Sequence, residues 1–363
     1  MKGGISRRKD EHLELALRDD VEGPLTTWFE YAKFVHNALP EVSLSEIDTS
    51  VEFLGKRIRA PIIIEAITGG SERAKEVNRR LAELASRHGI AIEVGSQRPM
   101  ILDPSLAESY KVVRRIARDV PVIANIGGVQ LTRMKLEEVE FIVSELEADA
   151  LSIHLNPVHE IVQVEGDRDF RGVEEAIREV SKSLGIPVIV KEVGFGISRE
   201  VAERMCRCGV YAIDVAGAGG TNWVRIEMLR GVKGFVEPPT LYLELVDWGI
   251  PTAASIVEAR SGAPNTIIIA SGGIRRSIDI ALSIALGADL VGIARPALLD
   301  AECGTTRIRD LIQGFRKIMA LLGTRNLREL ANVPIVLMGP LAEWVCARGL
   351  GLRNCNAYIC CAR

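Results

Sequence analysis

Eight short runs of Ile, Val and Ala recur between residues 61 and 293, and a helical pattern follows each one. This rhythm restricts the fold more than any other feature of the chain. The runs span 61–66, 90–94, 121–125, 149–153, 187–192, 211–215, 266–270 and 289–293. Their apolar character is continuous, as expected of parallel strands covered on both faces. Between them, Ala74, Val77, Leu81 and Leu84 make one helical stripe, opened by Ser71 and closed by Gly89. Leu136, Val139, Val143 and Leu146 repeat it, as do Val173, Ile177, Val180 and Leu184 before Gly185. Residues 198–209 and 277–287 are further units between a capping serine and a terminating glycine. Eight β–α units in succession predict an α/β fold of the (β/α)8 TIM-barrel class, with a doubly wound sheet as the alternative.

The 363 residues exceed the roughly 250 of a plain barrel. The surplus divides into an N-terminal extension (1–50), expected to be irregular and to cover part of the molecule, and a cysteine-containing tail (349–363), expected to be disordered. The barrel with its C-terminal helical segment takes 51–348, the last helix falling near 307–322. The longest interval separates the sixth and seventh strands, with helices expected around 241–248 and 251–260.

A net charge of −3 gives no reason to expect nucleic acid or an anionic membrane as partner. No apolar run approaches the ~18 residues of a spanning helix, and the charged N-terminus does not open like a signal peptide, so a soluble cytoplasmic protein is expected. The seven cysteines lack paired C-x-x-C spacing and are expected to be buried or free thiols.

In a barrel the segments after each strand share one mouth. The densest is Ser152-Ile153-His154-Leu155-Asn156-Pro157-Val158-His159-Glu160. It reads either as a polar loop satisfying backbone groups or as a reactive cluster. Thr68-Gly69-Gly70, Gly95-Ser96-Gln97-Arg98, Asn125-Ile126-Gly127 and Gly219-Gly220-Thr221-Asn222-Trp223 end other strands. Ser271-Gly272-Gly273-Ile274-Arg275 and Gly292-Ile293-Ala294-Arg295 follow the last two, where this fold most often holds a phosphate. Lys191, ending an apolar strand, needs a carboxylate, a phosphate or an electron-rich ring, or a salt bridge with Glu192 or Glu160.

Taken in order with Arg8-Lys9-Asp10-Glu11-His12, these segments resemble the type 2 isopentenyl-diphosphate delta-isomerases, FMN-dependent (β/α)8 enzymes. The resemblance runs from residue 6 to about 348. It implies that Ile67, Thr68, Gly69, Ser96, Asn125, Lys191 and Thr221 hold the flavin ring and ribityl chain. Gly273, Ile274, Arg275, Ala294 and Arg295 would hold its phosphate. Arg8, Lys9, Ser96, Gln97, Arg98, Asn156 and His159 would bind a diphosphate substrate, with His154, His159 and Lys191 nearest the chemistry. Glu160 would help bind Mg2+. The implied reaction interconverts isopentenyl and dimethylallyl diphosphate on reduced FMN, with NADPH or NADH as flavin reductant, in a homo-oligomer (tetramer or octamer).

Three positions depart from the family. His159 stands where Gln is usual, Ile67 where Met is common and Ala216 where Ser is frequent. The first puts rate and pH optimum in question, because imidazole titrates near neutrality. Two other readings stand beside this one: an FMN-dependent 2-hydroxy-acid oxidase or dehydrogenase, and a flavin-binding homologue weakened by His159.

Overall fold

The computed structural model describes residues 2–18, 20–231, 236–352 and 357–359. Eight parallel strands close into a barrel: β1 (Ile62–Ile64), β2 (Ala91–Glu93), β3 (Val122–Gly127), β4 (Ala150–His154), β5 (Val188–Lys191), β6 (Ala212–Asp214), β7 (Ile267–Ala270) and β8 (Leu290–Ile293). Closure comes from β8 returning to β1, with Val291, Gly292 and Ile293 opposite Ile62, Ile63 and Ile64. That ladder excludes the doubly wound alternative, whose sheet stays open. Helices cover the outer face. Glu72–His88, for example, is capped by the Ser71 hydroxyl accepting from the Ala74 N–H at 3.0 Å and ends at Gly89 with φ +63°. It buries Val77, Leu81 and Ala85 against the strands.

Side chains alternate across a strand, so only every second residue enters the barrel. Ile63, Ala91, Ile123, Ala150, Ile189, Ala212, Ile269 and Leu290 form a separate apolar cluster there. Phe53 and Ile58, from the hairpin Val51–Phe53 and Lys56–Ile58, plug it from below. Two residues further along each strand stand Glu65, Glu93, Asn125, Ser152, Lys191, Asp214, Ser271 and Gly292, all buried. The interior therefore turns from apolar to ionised within one two-residue step, about 6.6 Å.

Outside the barrel the structure differs from three expectations. The N-terminal extension is not irregular: Lys2–Ala16 forms a 15-residue helix, α1, packed on Trp223–Arg230. Leu13 and Ala16, with Leu17 just past its end, pack on the core at helical spacing, but most of its other positions are polar because it lies on the polar mouth. In the tail, Ala357–Ile359 pairs parallel to Ile335–Leu337, which in turn pairs with Ala32–Phe34, so disorder does not describe these three residues. The rest of that expectation, residues 353–356 and 360–363 with Cys355, Cys360 and Cys361, lies outside the described residues. Cys206, Cys208 and Cys303 are free, whereas Cys346 is disulfide-bonded rather than a free thiol. The helix expected near 307–322 is Arg307–Leu321. Among the described residues no helix is long and apolar enough to cross a membrane.

Candidate active site

One cavity of about 290 Å³ occupies the C-terminal mouth of the barrel, in the range of small-molecule sites. Arg8, Lys9, Ile67, Thr68, Ser96, Arg98, Asn125, His154, Asn156, His159, Glu160, Lys191, Thr221, Gly273, Ile274, Arg275, Ala294 and Arg295 all line it. Two expected members do not. Gln97 is fully buried in the wall, where its side-chain amide donates to the Ile142 carbonyl at 2.9 Å and accepts from the Asn125 N–H at 3.1 Å. Those bonds leave it supporting β3 and not facing a ligand. Gly69 lies behind the surface, because the Tyr110 ring sits 2.1 Å from where a Cβ would be.

Lys191 projects from the end of β5 into the polar layer. Its ammonium pairs with Glu65 at 2.8 Å and Asp214 at 3.0 Å, so its ion-pair partner is neither Glu160 nor the Glu192 carboxylate; of Glu192 only the backbone carbonyl accepts from it, at 3.4 Å. Burial opposes the charge, but the Asp214, Glu65 and Glu93 carboxylates outweigh it and raise its pKa well above the usual lysine range. The carboxylates respond in kind: burial, then Asp214, lifts Glu65, and burial lifts Glu93. Three carboxylates around one lysine were hidden in sequence within strands that read as apolar. An acidic residue every second position from an Ile or Ala was the available signal.

His154 is set by a short chain of bonds. The Asn125 amide donates to Glu93 at 2.5 Å, which turns its oxygen to the His154 Nδ1 at 2.9 Å. Since that oxygen can only accept, Nδ1 carries the proton and Nε2 is left as an acceptor. Burial and the Lys191 charge push the imidazole down to about 3, so it is neutral at physiological pH.

Helix α1 supplies a second group of cations. Lys9 donates to the Ser96 carbonyl at 2.7 Å and to the Tyr110 hydroxyl at 3.2 Å. Burial, reinforced by Arg8, lowers its pKa to about 7. Burial lowers the pKa of Arg8, Arg230 and Arg98 lower it further, and Glu165 and Glu160 oppose the shift. On the other side, Arg275 and Arg295 stand beside the Gly272-Gly273 turn, where φ is +95° and +72° and only glycine is unstrained. A Cβ on Gly220 would lie 2.4 Å from the Gly273 nitrogen, so this backbone packs too closely for a side chain. Glu22 reaches Arg275 at 3.2 Å, and the Arg18 carbonyl accepts from Arg295 at 3.0 Å. The cavity thus has two basic ends, which equips it for two anionic groups.

Next to the His154 segment, the short helix α2 (Pro157–Val162) carries His159 and Glu160. The Glu160 carboxylate accepts from the Asn156 amide at 3.1 Å and the Asp167 N–H at 2.7 Å, and no lysine or arginine forms an ion pair with it among the described residues, Arg168 donating only to the Glu160 backbone carbonyl. From α3 (Trp223–Arg230), Glu227 accepts from His159 at 3.1 Å and His12 at 2.8 Å. Trp223 stacks on His159 with centroids 4.6 Å apart. Glu227 and Arg230 were missed in sequence because nothing local marks α3 beyond Trp223, the end of the segment after the sixth strand, as facing the mouth.

The fold, the two-ended basic mouth and the buried lysine define a barrel enzyme for a phosphorylated ligand. Residues 147–336, slightly more than half of the chain, match the model of the family described as FMN-dependent dehydrogenase, and the chain belongs to that family. Within it the chain belongs to the isopentenyl-diphosphate delta-isomerases. A relative so named from Aeropyrum pernix is 44% identical, covering 97% of this chain and 96% of its own. Those from Pyrococcus horikoshii and Methanosarcina mazei are each 43% identical, over 94% and 96% of this chain and 94% and 96% of theirs. Among solved structures, a lactate oxidase of Pediococcus acidilactici shares the fold at TM-score 0.64 and 15% identity, over 93% of this chain and 94% of its own.

Proposed function

We propose that the chain interconverts isopentenyl and dimethylallyl diphosphate, using reduced FMN held at the barrel mouth. The observation that carries this reading is one cavity with separate basic ends, one for a cofactor phosphate and one for a substrate diphosphate. The residues present fit FMN. Thr68 Oγ1 and Arg275 Nε are buried in the cavity wall without a hydrogen-bond partner, and the Gly272-Gly273 turn brings backbone close to an anion. In this reading Thr68, Ser96, Asn125, Lys191 and Thr221 hold the ring and ribityl chain, and Gly273, Ile274, Arg275, Ala294 and Arg295 the phosphate. Reduced flavin, when bound there, would supply the acid/base chemistry of the double-bond shift.

The chain's own residues orient and polarise. Lys191, kept protonated by Glu65 and Asp214, offers the positive potential that favours an anionic ring. Arg8, Lys9 and Arg98 grip the diphosphate, with Asn156 beside them. His154 accepts a hydrogen bond at Nε2 and does not donate a proton as imidazolium. Leu13, Ile67 and Trp223 line the cavity as apolar surface for the isoprenoid tail. Glu160, a carboxylate without a lysine or arginine ion pair among the described residues, would help hold Mg2+, which would supply positive charge for the diphosphate. The resemblance further supports NAD(P)H as flavin reductant, a cytoplasmic location and a homo-oligomer.

The 2-hydroxy-acid reading draws on the shared oxidase fold. All five histidines (His12, His36, His88, His154 and His159) precede the fifth strand, so no late strand end offers the histidine that chemistry wants. The test is to load the protein with FMN, reduce it with dithionite, add Mg2+ and isopentenyl diphosphate, and follow the product by NMR. Appearance of dimethylallyl diphosphate is expected. A yellow protein that leaves the substrate unchanged would support the weakened homologue, and a colourless one would remove the flavin.

A further inference from the structure

We propose that His12, His159 and Glu227 form a binding site for a divalent transition-metal ion of the zinc type. The site differs in donor chemistry from Glu160, and the proposal stands on geometry independent of the isomerase reading. The Nε2 atoms of His12 and His159 lie 2.8 and 3.1 Å from the same carboxylate oxygen, and all three donor atoms fall within 4.8 Å of one another. Zinc bonds of about 2.0–2.1 Å in a tetrahedral shell place ligands roughly 3.3 Å apart. The three donors therefore stand near ligand spacing, and a small outward movement admits an ion.

Three further features suit the site. Arg230 donates to the other Glu227 oxygen at 3.0 Å, fixing the carboxylate so that one oxygen faces the imidazoles. Trp223 holds both rings, stacked on His159 and edge-on to His12 at 5.3 Å. Both imidazoles line the cavity, so a fourth coordination position opens to water or a ligand oxygen. Without metal the two Nε2 groups share Glu227. A shift of each proton to Nδ1 frees Nε2 as a ligand with no change in charge. Arg8 and Arg230 repel a dication, which keeps the affinity below that of a structural zinc site. Two imidazoles and one carboxylate select Zn2+, Co2+ or Ni2+ over Mg2+, which prefers oxygen.

The test uses FMN-loaded protein stripped with EDTA, then dialysed against graded Zn2+ and assayed for bound metal. One Zn2+ per chain is expected, retained under excess Mg2+ and weakened at least ~tenfold in both His159→Gln and His12→Gln. Flavin stoichiometry and the unfolding midpoint check that each variant is folded, and two variants guard against failure of one. Co2+ bound in the wild type should give an EPR spectrum with imidazole hyperfine coupling. Failure to retain Zn2+, displacement by Mg2+, or equal binding by folded variants (the cysteines as the true ligands) would overturn the proposal. Isomerase turnover enters none of these readouts, so loss of that reading leaves this one standing.

Discussion

The two ends of the same barrel follow opposite rules. Below, Ile63, Ile123, Ile189 and their neighbours pack against Phe53 and Ile58 with no charge among them. One two-residue step above, Lys191 stands between Glu65 and Asp214, with Glu93 close by. Identical backbone geometry carries both, so the difference lies in which residues the alternating inward positions hold. The lower layer stabilises by excluding water and filling space, and any hydrophobe of similar volume would serve. The upper layer holds charges that are tolerable only together, a poor device for stability but a good one for a fixed electrostatic field.

The largest test of that contrast is Lys191→Ala. Removing the cation strands buried carboxylates and should cost about 3–5 kcal/mol in denaturant unfolding, with loss of stoichiometric FMN. If adding Glu65→Gln and Asp214→Asn restores no stability, the ionic account of the upper layer fails. Phe53→Ala at the lower end should cost about 3 kcal/mol by cavity formation, yet leave flavin stoichiometry intact in the folded protein. Flavin loss there would mean the two ends are not separable.

Smaller effects belong to the rim. Arg8→Ala should raise KM for isopentenyl diphosphate about tenfold, the size of one charge-assisted bond, and leave FMN affinity unchanged. The reverse result would remove α1 from the substrate site. Lys9, with its pKa lowered to about 7, is a cation below that pH and an amine above it. Diphosphate binding draws on the cation, so calorimetric affinity for inorganic pyrophosphate should fall about tenfold per pH unit above 7 and level off below. A flat profile would mean that Lys9 does not meet the anion. Smallest is Glu160→Ala, expected to raise the Mg2+ concentration for half-maximal activity; an unchanged titration removes Glu160 as a ligand.

Much of the fold was legible. All eight strands lie within or against the eight apolar runs, because a strand buried on both faces must be apolar wherever its side chains point outward to helices. Most of the cavity lining was legible too, since strand ends of a barrel converge by topology. Gln97 and Gly69 were misplaced because a strand end names a neighbourhood and not the direction of a side chain. Helix α1 was missed because its face toward the mouth mixes Arg8, Lys9 and His12 with Leu13 and Ala16, so amphipathic periodicity is weak where the surface it covers is itself charged.

The amino-acid order alone determined the repeating units, their caps and the meeting of glycines and cations at one mouth. These are local patterns whose consequences follow from backbone geometry. Tertiary closure decided the partners: Lys191 with Glu65 and Asp214, and His12 with His159 and Glu227. Such pairings depend on the register of distant strands and helices, and Coulomb and hydrogen-bond energies fall off within a few ångströms, a scale that sequence separation does not measure.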